Sequence, residues 1–253
     1  MPAGSIRARV RAEMTSEIKA VARQHLSTEG ANLSLRAVAR DMGMVSSALY
    51  RYFASRDDLL TALILDGYNA LGETVEAADA AITDRSQLRT RWLSAARAVR
   101  GWALANPAEY ALLYGSPVPG YAAPPDTVAA AARTPAVLAA ILSDGFAAGV
   151  LAGPTMGETH ARRSAADHTA PGLPGASALS TRLTPDVRAD LTRAANGIAP
   201  GVPPELLMLG MTTWVHMFGV VSFELFGQFN NVIDARAEYF DQQMELMADL
   251  IGL

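Results

Sequence analysis

The sequence predicts an all-α protein with a small N-terminal head and a long helical body. Half of its 253 residues are apolar, and they recur at three- and four-residue intervals rather than in alternation. Clusters of Val, Ile and Thr at period two are nearly absent, so no run argues for a strand. Pro and Gly fall between the periodic runs, where they delimit helices.

Ile18, Val21, Ala22, His25 and Leu26 follow helical spacing, and Gly30 stops that helix. Ser34 suits the N-cap of the next, where Leu35, Val38, Ala39 and Met42 form one apolar stripe before Gly43 ends it. A third short helix is predicted from about Ser46 to Phe53, burying Leu49 and Phe53. Ser55-Arg56-Asp57-Asp58 reads as a capping-box-like opening of a long fourth helix with Leu59, Leu60, Leu63, Ile64 and Leu71 on its apolar side. The head is thus expected over 1–56 and the body over 57–253, with the fourth helix touching both.

In the body, periodicity runs over 86–106 and breaks at Pro107. A short piece from Pro107 to Tyr114 leads through a Pro/Gly loop to a helix predicted over roughly 126–151. Residues 152–184, rich in Gly, Pro, Ser, Thr and Ala, read as a mobile loop. A short helix near 185–195 and two final helices, 204–227 and 232–251, complete the chain.

Composition excludes several classes. With no cysteine there is neither a disulfide framework nor a thiolate metal site, which fits a reducing cytoplasm. The four histidines lack metal-ligand spacing, and there is no nucleophile elbow, zinc-protease motif, phosphate loop or dinucleotide fingerprint. Neither an enzyme nor a cofactor is expected. The basic N-terminus lacks the apolar core of a signal peptide. Residues 206–223 are apolar enough to raise the question of a membrane span, but Thr212, Thr213, His216 and the adjacent Glu224 favour a buried bundle helix. No membrane association is expected. Residues 1–60 hold nine Arg/Lys against six Asp/Glu in a chain of net charge −4, so the head is basic and the body acidic.

Two helices around Gly43 make a helix-turn-helix whose second member can enter a DNA major groove. With Leu49 and Phe53 turned inward, Ser46, Ser47, Tyr50 and Arg51 share its outer face. The Ala48 methyl can meet a thymine methyl, and Arg51 a guanine edge or a phosphate. The phenols of Tyr50 and Tyr52 stand at phosphate distance. Arg56 opens the fourth helix, whose N-terminus favours an anion, and Ser34 and Arg36 open the second. Arg7, Arg9 and Arg11 form either a solvated tail or an arm on the phosphates or minor groove. A helical scaffold that ignores DNA would not require this constellation.

The stretch LRAVARDMGMVSSALYRYFASRDDLLTALI resembles the DNA-binding head of the tetracycline-repressor (TetR) family of bacterial transcription regulators. The small-residue and Gly turn, the Leu-Tyr-x-x-Phe segment and the basic-acidic opening of the fourth helix carry the likeness, over about residues 13–65. His25 departs from it, standing where the family has a bulky apolar residue. The resemblance implies a homodimer that binds a palindromic operator through its third helices and releases it on binding a small effector, as a repressor does.

Two further groups of residues follow from the body's pattern. Trp92, Trp102, Tyr110, Phe146, Trp214 and Met217, with Thr213 and His216 as polar anchors, are expected to line an apolar pocket for a small hydrophobic effector. In the last helix Ile233, Ala237, Phe240, Met244, Met247 and Ile251 alternate four and three apart, and the helix before it is equally apolar. Such a seam predicts an intermolecular four-helix interface, built from Phe218, Val221, Leu225, Ile233, Phe240, Met244 and Met247.

Overall fold

A computed structural model describes residues 3–29, 33–151 and 183–253. Among them are eleven helices and no strand: α1 (Ala3–Glu29), α2 (Leu35–Asp41), α3 (Ser46–Leu49), α4 (Arg56–Ala80), α5 (Leu88–Ala105), α6 (Pro107–Tyr114), α7 (Thr127–Ala131), α8 (Arg133–Ala147), α9 (Pro185–Ile198), α10 (Pro204–Leu225) and α11 (Arg236–Ile251). Gly30 and nearly all of the loop expected at 152–184 lie outside the described residues.

The chain divides into two compact units. The first comprises Met1–Gly72 and Trp102–Ala132, the second Glu73–Gly101 and Arg133–Leu253. The first therefore contains the 1–56 head together with the start of α4, the end of α5, α6 and α7. The chain passes between the units within α4, within α5 and at the α7–α8 junction.

In the first unit the apolar stripes read from the sequence meet in one core. Ile18 and Ala22 of α1, Leu35 and Val38 of α2, Leu49 of α3 and Leu59 and Leu63 of α4 are buried together. The caps are local. The Ser34 hydroxyl accepts from the Ala37 N–H at 3.5 Å, and the Ser55 hydroxyl accepts from that of Asp58 at 3.1 Å. Gly43 ends α2 with φ +65°, a left-handed conformation that costs glycine little. His25, the departure from the family pattern, is buried and joined through Nε2 to Asp41 Oδ2 at 2.8 Å. Its ring fills the apolar site while its polar edge ties α1 to the end of α2.

The second unit is held by helices and by charge. α10 packs on α8, α9 and α11. Arg91 is fully buried, donating to Asp79 Oδ1 at 2.8 Å, Asp144 Oδ2 at 2.7 Å and the Arg85 carbonyl at 3.1 Å. Arg100 grips both oxygens of the buried Glu224 at 2.8 and 2.7 Å, and its guanidinium lies 5.6 Å from the centre of the Phe240 ring. Trp92 Nε1 donates to the Met244 carbonyl at 3.0 Å.

Three elements differ from expectation. The third helix is regular only over Ser46–Leu49; the next residues tighten into i+3 bonds, Arg51 N to Ala48 O at 3.2 Å and Tyr52 N to Leu49 O at 2.8 Å. The helix expected over 126–151 is two, α7 and α8, because Pro135 has no N–H to give and its ring would crowd the carbonyl four residues back, that of Ala131. The last helix starts at Arg236 rather than 232. Gly227 at φ +82° and Asn231 at φ +62° are left-handed and turn the chain first, and Arg236 Nη2 donates to Asn230 Oδ1 at 2.8 Å.

Arg91→Met should destabilise the protein by about 3–5 kcal/mol in urea denaturation, because two carboxylates lose their shared cation. Burial alone would raise the Asp79 pKa, but the hydrogen bonds from Arg91 and Arg85 outweigh it and hold it below the ordinary 3.8. The stability from Asp79 is therefore complete above that value and is lost as pH falls through the lower folded-state value. Between about pH 5 and pH 1 the urea midpoint should fall more steeply for wild type than for Asp79→Asn.

Candidate nucleic-acid interface

The buried core of the head fixes which way α3 faces. Leu49 sits among Ile18, Leu35, Val38 and Leu59, so the opposite side of this short segment is turned to solvent. Ser47, Tyr50 and Arg51 are exposed there, with Ser46 and Ala48 half-buried beside them. Ser34 and Arg36 are exposed at the start of α2. Among the described residues neither Arg36 nor Arg51 is engaged in an ion pair. An exposed hydroxyl, a phenol and two uncompensated guanidinium groups on one small unit suit phosphates and base edges.

The other two predicted contact residues are already engaged within the chain. The Tyr52 ring packs on the head core, and the Arg11 guanidinium lies 5.3 Å from its centre. Arg56 Nε donates to the Leu33 carbonyl at 3.1 Å, fastening the segment before α2 to the start of α4. Both residues hold the recognition segment in place, whether or not their outer atoms also reach a phosphate.

Arg7, Arg9 and Arg11 are helical rather than loose. They lie on the opening turns of α1, all exposed. Arg11 Nη2 donates to the Arg51 carbonyl at 3.0 Å. One exposed position beside this face escaped the sequence reading. Val45, 70% exposed at the N-cap of α3, is an apolar residue left in water directly after the turn. Its place just after Gly43-Met44 was the available signal.

Residues 18–63 match the family described as bacterial regulatory proteins of the tetR family, and residues 92–247 match the tetracycline-repressor-like C-terminal domain. The chain belongs to the TetR family. It is a helix-turn-helix transcriptional regulator and not an enzyme. Over 254 residues it is 35% identical to HTH-type transcriptional regulator Rv1816 of Mycobacterium tuberculosis and to Mb1846 of Mycobacterium bovis, spanning 96% of this chain and 94% of each relative. The solved structure of regulatory protein SCO4313 superposes with a TM-score of 0.69 at 31% identity, covering 98% of both chains. A tetR-family regulatory protein from Rhodococcus RHA1 shares the fold at 15% identity, with a TM-score of 0.57 and coverage of 94% of this chain and 96% of its own.

The expected effector residues of this TetR-family chain fall in different units. Trp102 and Tyr110 belong to the first unit; Trp92, Phe146, Thr213, Trp214, His216 and Met217 belong to the second. Between Trp92 and Thr213 the void is about 10 Å³, room for roughly one water. The side chains there are spent on the core. Thr213 donates to the Gly210 carbonyl at 2.8 Å, His216 Nε2 meets Gln243 Oε1 at 2.8 Å, and Met217 is fully buried. A cavity of about 620 Å³ lies instead within the first unit, and none of the eight lines it. Its wall includes Tyr68, Leu112, Val118 and Tyr121, which the sequence reading missed because they are scattered over α4, α6 and the following loop.

The expected dimer residues also divide. Val221, Phe240, Met244 and Met247 are buried within one chain, and Phe218, Leu225 and Ile233 are half-buried. Phe240, Met244, Met247 and Ile251 of the four-three seam therefore close on their own unit, since helical spacing is the same whichever chain supplies the partner, while Ala237 is exposed. A different row is exposed on α10 and just beyond it: Met211 at 39%, Val215 at 67%, Phe223 at 52% and Phe226 at 45%.

Tyr50→Ala and Arg51→Ala should each leave stability within about 0.5 kcal/mol of wild type, whereas Tyr52→Ala should cost about 1–3 kcal/mol. Thermal unfolding of the four proteins side by side checks this division between contact and scaffold residues.

Proposed function

We propose that the protein is a repressor that binds a palindromic operator as a homodimer and releases it when a small hydrophobic effector binds. The observation that carries the DNA half is the outer face of α3, where Ser47, Tyr50 and Arg51 are exposed around a buried Leu49. Its setting is the basic head, where residues 1–60 hold nine Arg/Lys against six Asp/Glu. Arg51 and Val45 are assigned to base edges, Ser34, Arg36 and Tyr50 to phosphates, and Tyr52 and Arg56 to holding that face in register. Family membership supports DNA binding by a dimer, and action in the cytoplasm follows from it.

The exposed row Met211, Val215, Phe223 and Phe226 is assigned to the partner copy. Water-exposed aromatic and branched side chains at helical spacing form a patch that a second copy would bury. The Trp214 indole N–H, buried and without a hydrogen-bond partner among the described residues, adds a donor next to that row. α10 is the one described helix long and apolar enough to cross a membrane. Its packing on α8, α9 and α11 and its Glu224–Arg100 pair support a core helix instead.

Fluorescence anisotropy with duplexes from upstream of the gene tests the DNA half. Arg51→Ala should weaken specific binding by about 1–3 kcal/mol and reduce the salt slope by about one. Unchanged affinity would mean that α3 is not the reading element. Val215→Glu with Phe223→Glu should give a folded monomer by light scattering that no longer holds a palindromic site. A double variant that remains dimeric would remove α10 from the interface.

A further inference from the structure

The 620 Å³ cavity of the first unit is walled by α4, α6, α7 and the 115–126 connection. Its size falls within the range of small-molecule sites, about 300–1,000 Å³. Ile64, Leu112, Leu113 and Val118 are among the apolar residues of the wall, and no Asp, Glu, Lys, Arg or His contributes to it. A charged guest would meet no counter-charge against this largely apolar wall, so the site favours a neutral one.

Of the four hydroxyls in the lining, that of Ser116 among them, three have distinct commitments. That of Thr127 donates to the Pro124 carbonyl at 2.8 Å. That of Tyr121 shares a 2.9 Å hydrogen bond with Thr61 of α4. The Tyr68 hydroxyl has no hydrogen-bond partner among the described residues, although the ring stacks edge-on with Tyr114. Burial first, and then the neighbouring Tyr121, raise the Tyr68 pKa above the ordinary 10.0, so it stays protonated as a donor at neutral pH. A protonated phenol can also accept, which suits a carbonyl or a hydroxyl.

The wall is shared with the head. Leu112, Val118 and Tyr121 pack against the same core that buries Leu49 and Phe53 beneath α3. A guest in the cavity would therefore press on one side of residues whose other side supports the recognition segment. The Thr61–Tyr121 bond is the one polar tie between the 115–126 connection and α4 among the described residues.

We propose that this cavity is the effector site, that it takes a neutral, largely apolar molecule bearing one hydroxyl or carbonyl held by Tyr68, and that Tyr121 is the positioning residue through which occupancy reaches α3. The proposal rests on the ligand-responsive reading above and places the site within the first unit, on residues other than the eight expected from the sequence.

N-Phenyl-1-naphthylamine, a neutral dye that brightens in apolar surroundings, tests the site on the full-length protein, with 1-decanol and decanoate as competitors at pH 8. Decanol should displace the dye, and decanoate should need roughly tenfold more. Ala131→Trp fills the cavity and should weaken dye binding by about tenfold or more. Val128→Trp crowds it from a position 66% exposed, where a large side chain does not threaten folding. Wild-type dye affinity in both folded variants, or in Val128→Trp if only that one folds, would overturn the site, as would equal competition by decanoate. Decanol should also weaken binding to a duplex selected with the wild-type protein by about fivefold or more. Tyr121→Phe should keep the dye and the melting temperature but lose that response; an undiminished response would overturn the role of Tyr121. A protein that takes up the dye but binds no duplex would keep the cavity as a site while sinking both the regulator reading and the signalling role.

Discussion

The outward face of α3 exists only because Leu49 is pinned beneath it. A helix of four residues has no stability of its own, since nucleation costs more than one turn of hydrogen bonds returns. What keeps Ser47, Tyr50 and Arg51 together on one side is the burial of Leu49 among α1, α2 and α4. The surrounding bonds serve the same end. Gly43 supplies the sharp turn before the segment, Arg11 holds the Arg51 carbonyl at its end, and Arg56 fastens the Leu33 carbonyl before α2. The recognition segment is thus presented by the core of the head rather than by its own helical propensity.

The two units use arginine in different ways. In the second, Arg89 lies against Glu245 and Asp249, Arg97 against Asp241, Arg100 against Glu224, and Arg91 between Asp79 and Asp144. There the guanidinium fork, which matches a carboxylate in two places, serves as a cross-link between helices. In the first unit Arg36 and Arg51 are left without a carboxylate. These arginines of the body are thus spent on its own carboxylates, while Arg36 and Arg51 of the head remain available to an anion. Net charge alone, −4 for the chain, would have pointed away from nucleic acid.

Apolar spacing told more about which residues face inward than about what they face. The stripe of α4, Leu59, Leu60, Leu63, Ile64 and Leu71, is buried throughout. In α11 Phe240, Met244, Met247 and Ile251 are buried as a seam, but against their own chain rather than a second one. Periodicity describes one face of one helix, and the same period serves an internal neighbour and a partner subunit equally. The exposed row of α10 was masked for the complementary reason. That helix is apolar almost all round, so no single stripe stands out from its sequence.

The sequence by itself determined the helical class, the caps at Ser34 and Ser55, the turn at Gly43 and the outward set Ser47, Tyr50 and Arg51. These depend on neighbours within one or two turns of the chain, where residue type and spacing act directly. It also carried the family likeness, because the head is a nearly contiguous stretch. The tertiary structure alone decided that Tyr52 packs on the head core and Arg56 is tied to Leu33, that Trp92, Thr213 and Met217 fill a core, and that a cavity opens beside Tyr68 and Tyr121. Each of those outcomes depends on residues from distant segments meeting: Arg11 over Tyr52, Trp92 bonded to Met244, Thr61 bonded to Tyr121. An aromatic side chain buries the same apolar area whether it fills a core or lines a pocket, so its identity in the sequence does not say which. Only the volume its neighbours leave unfilled distinguishes the two.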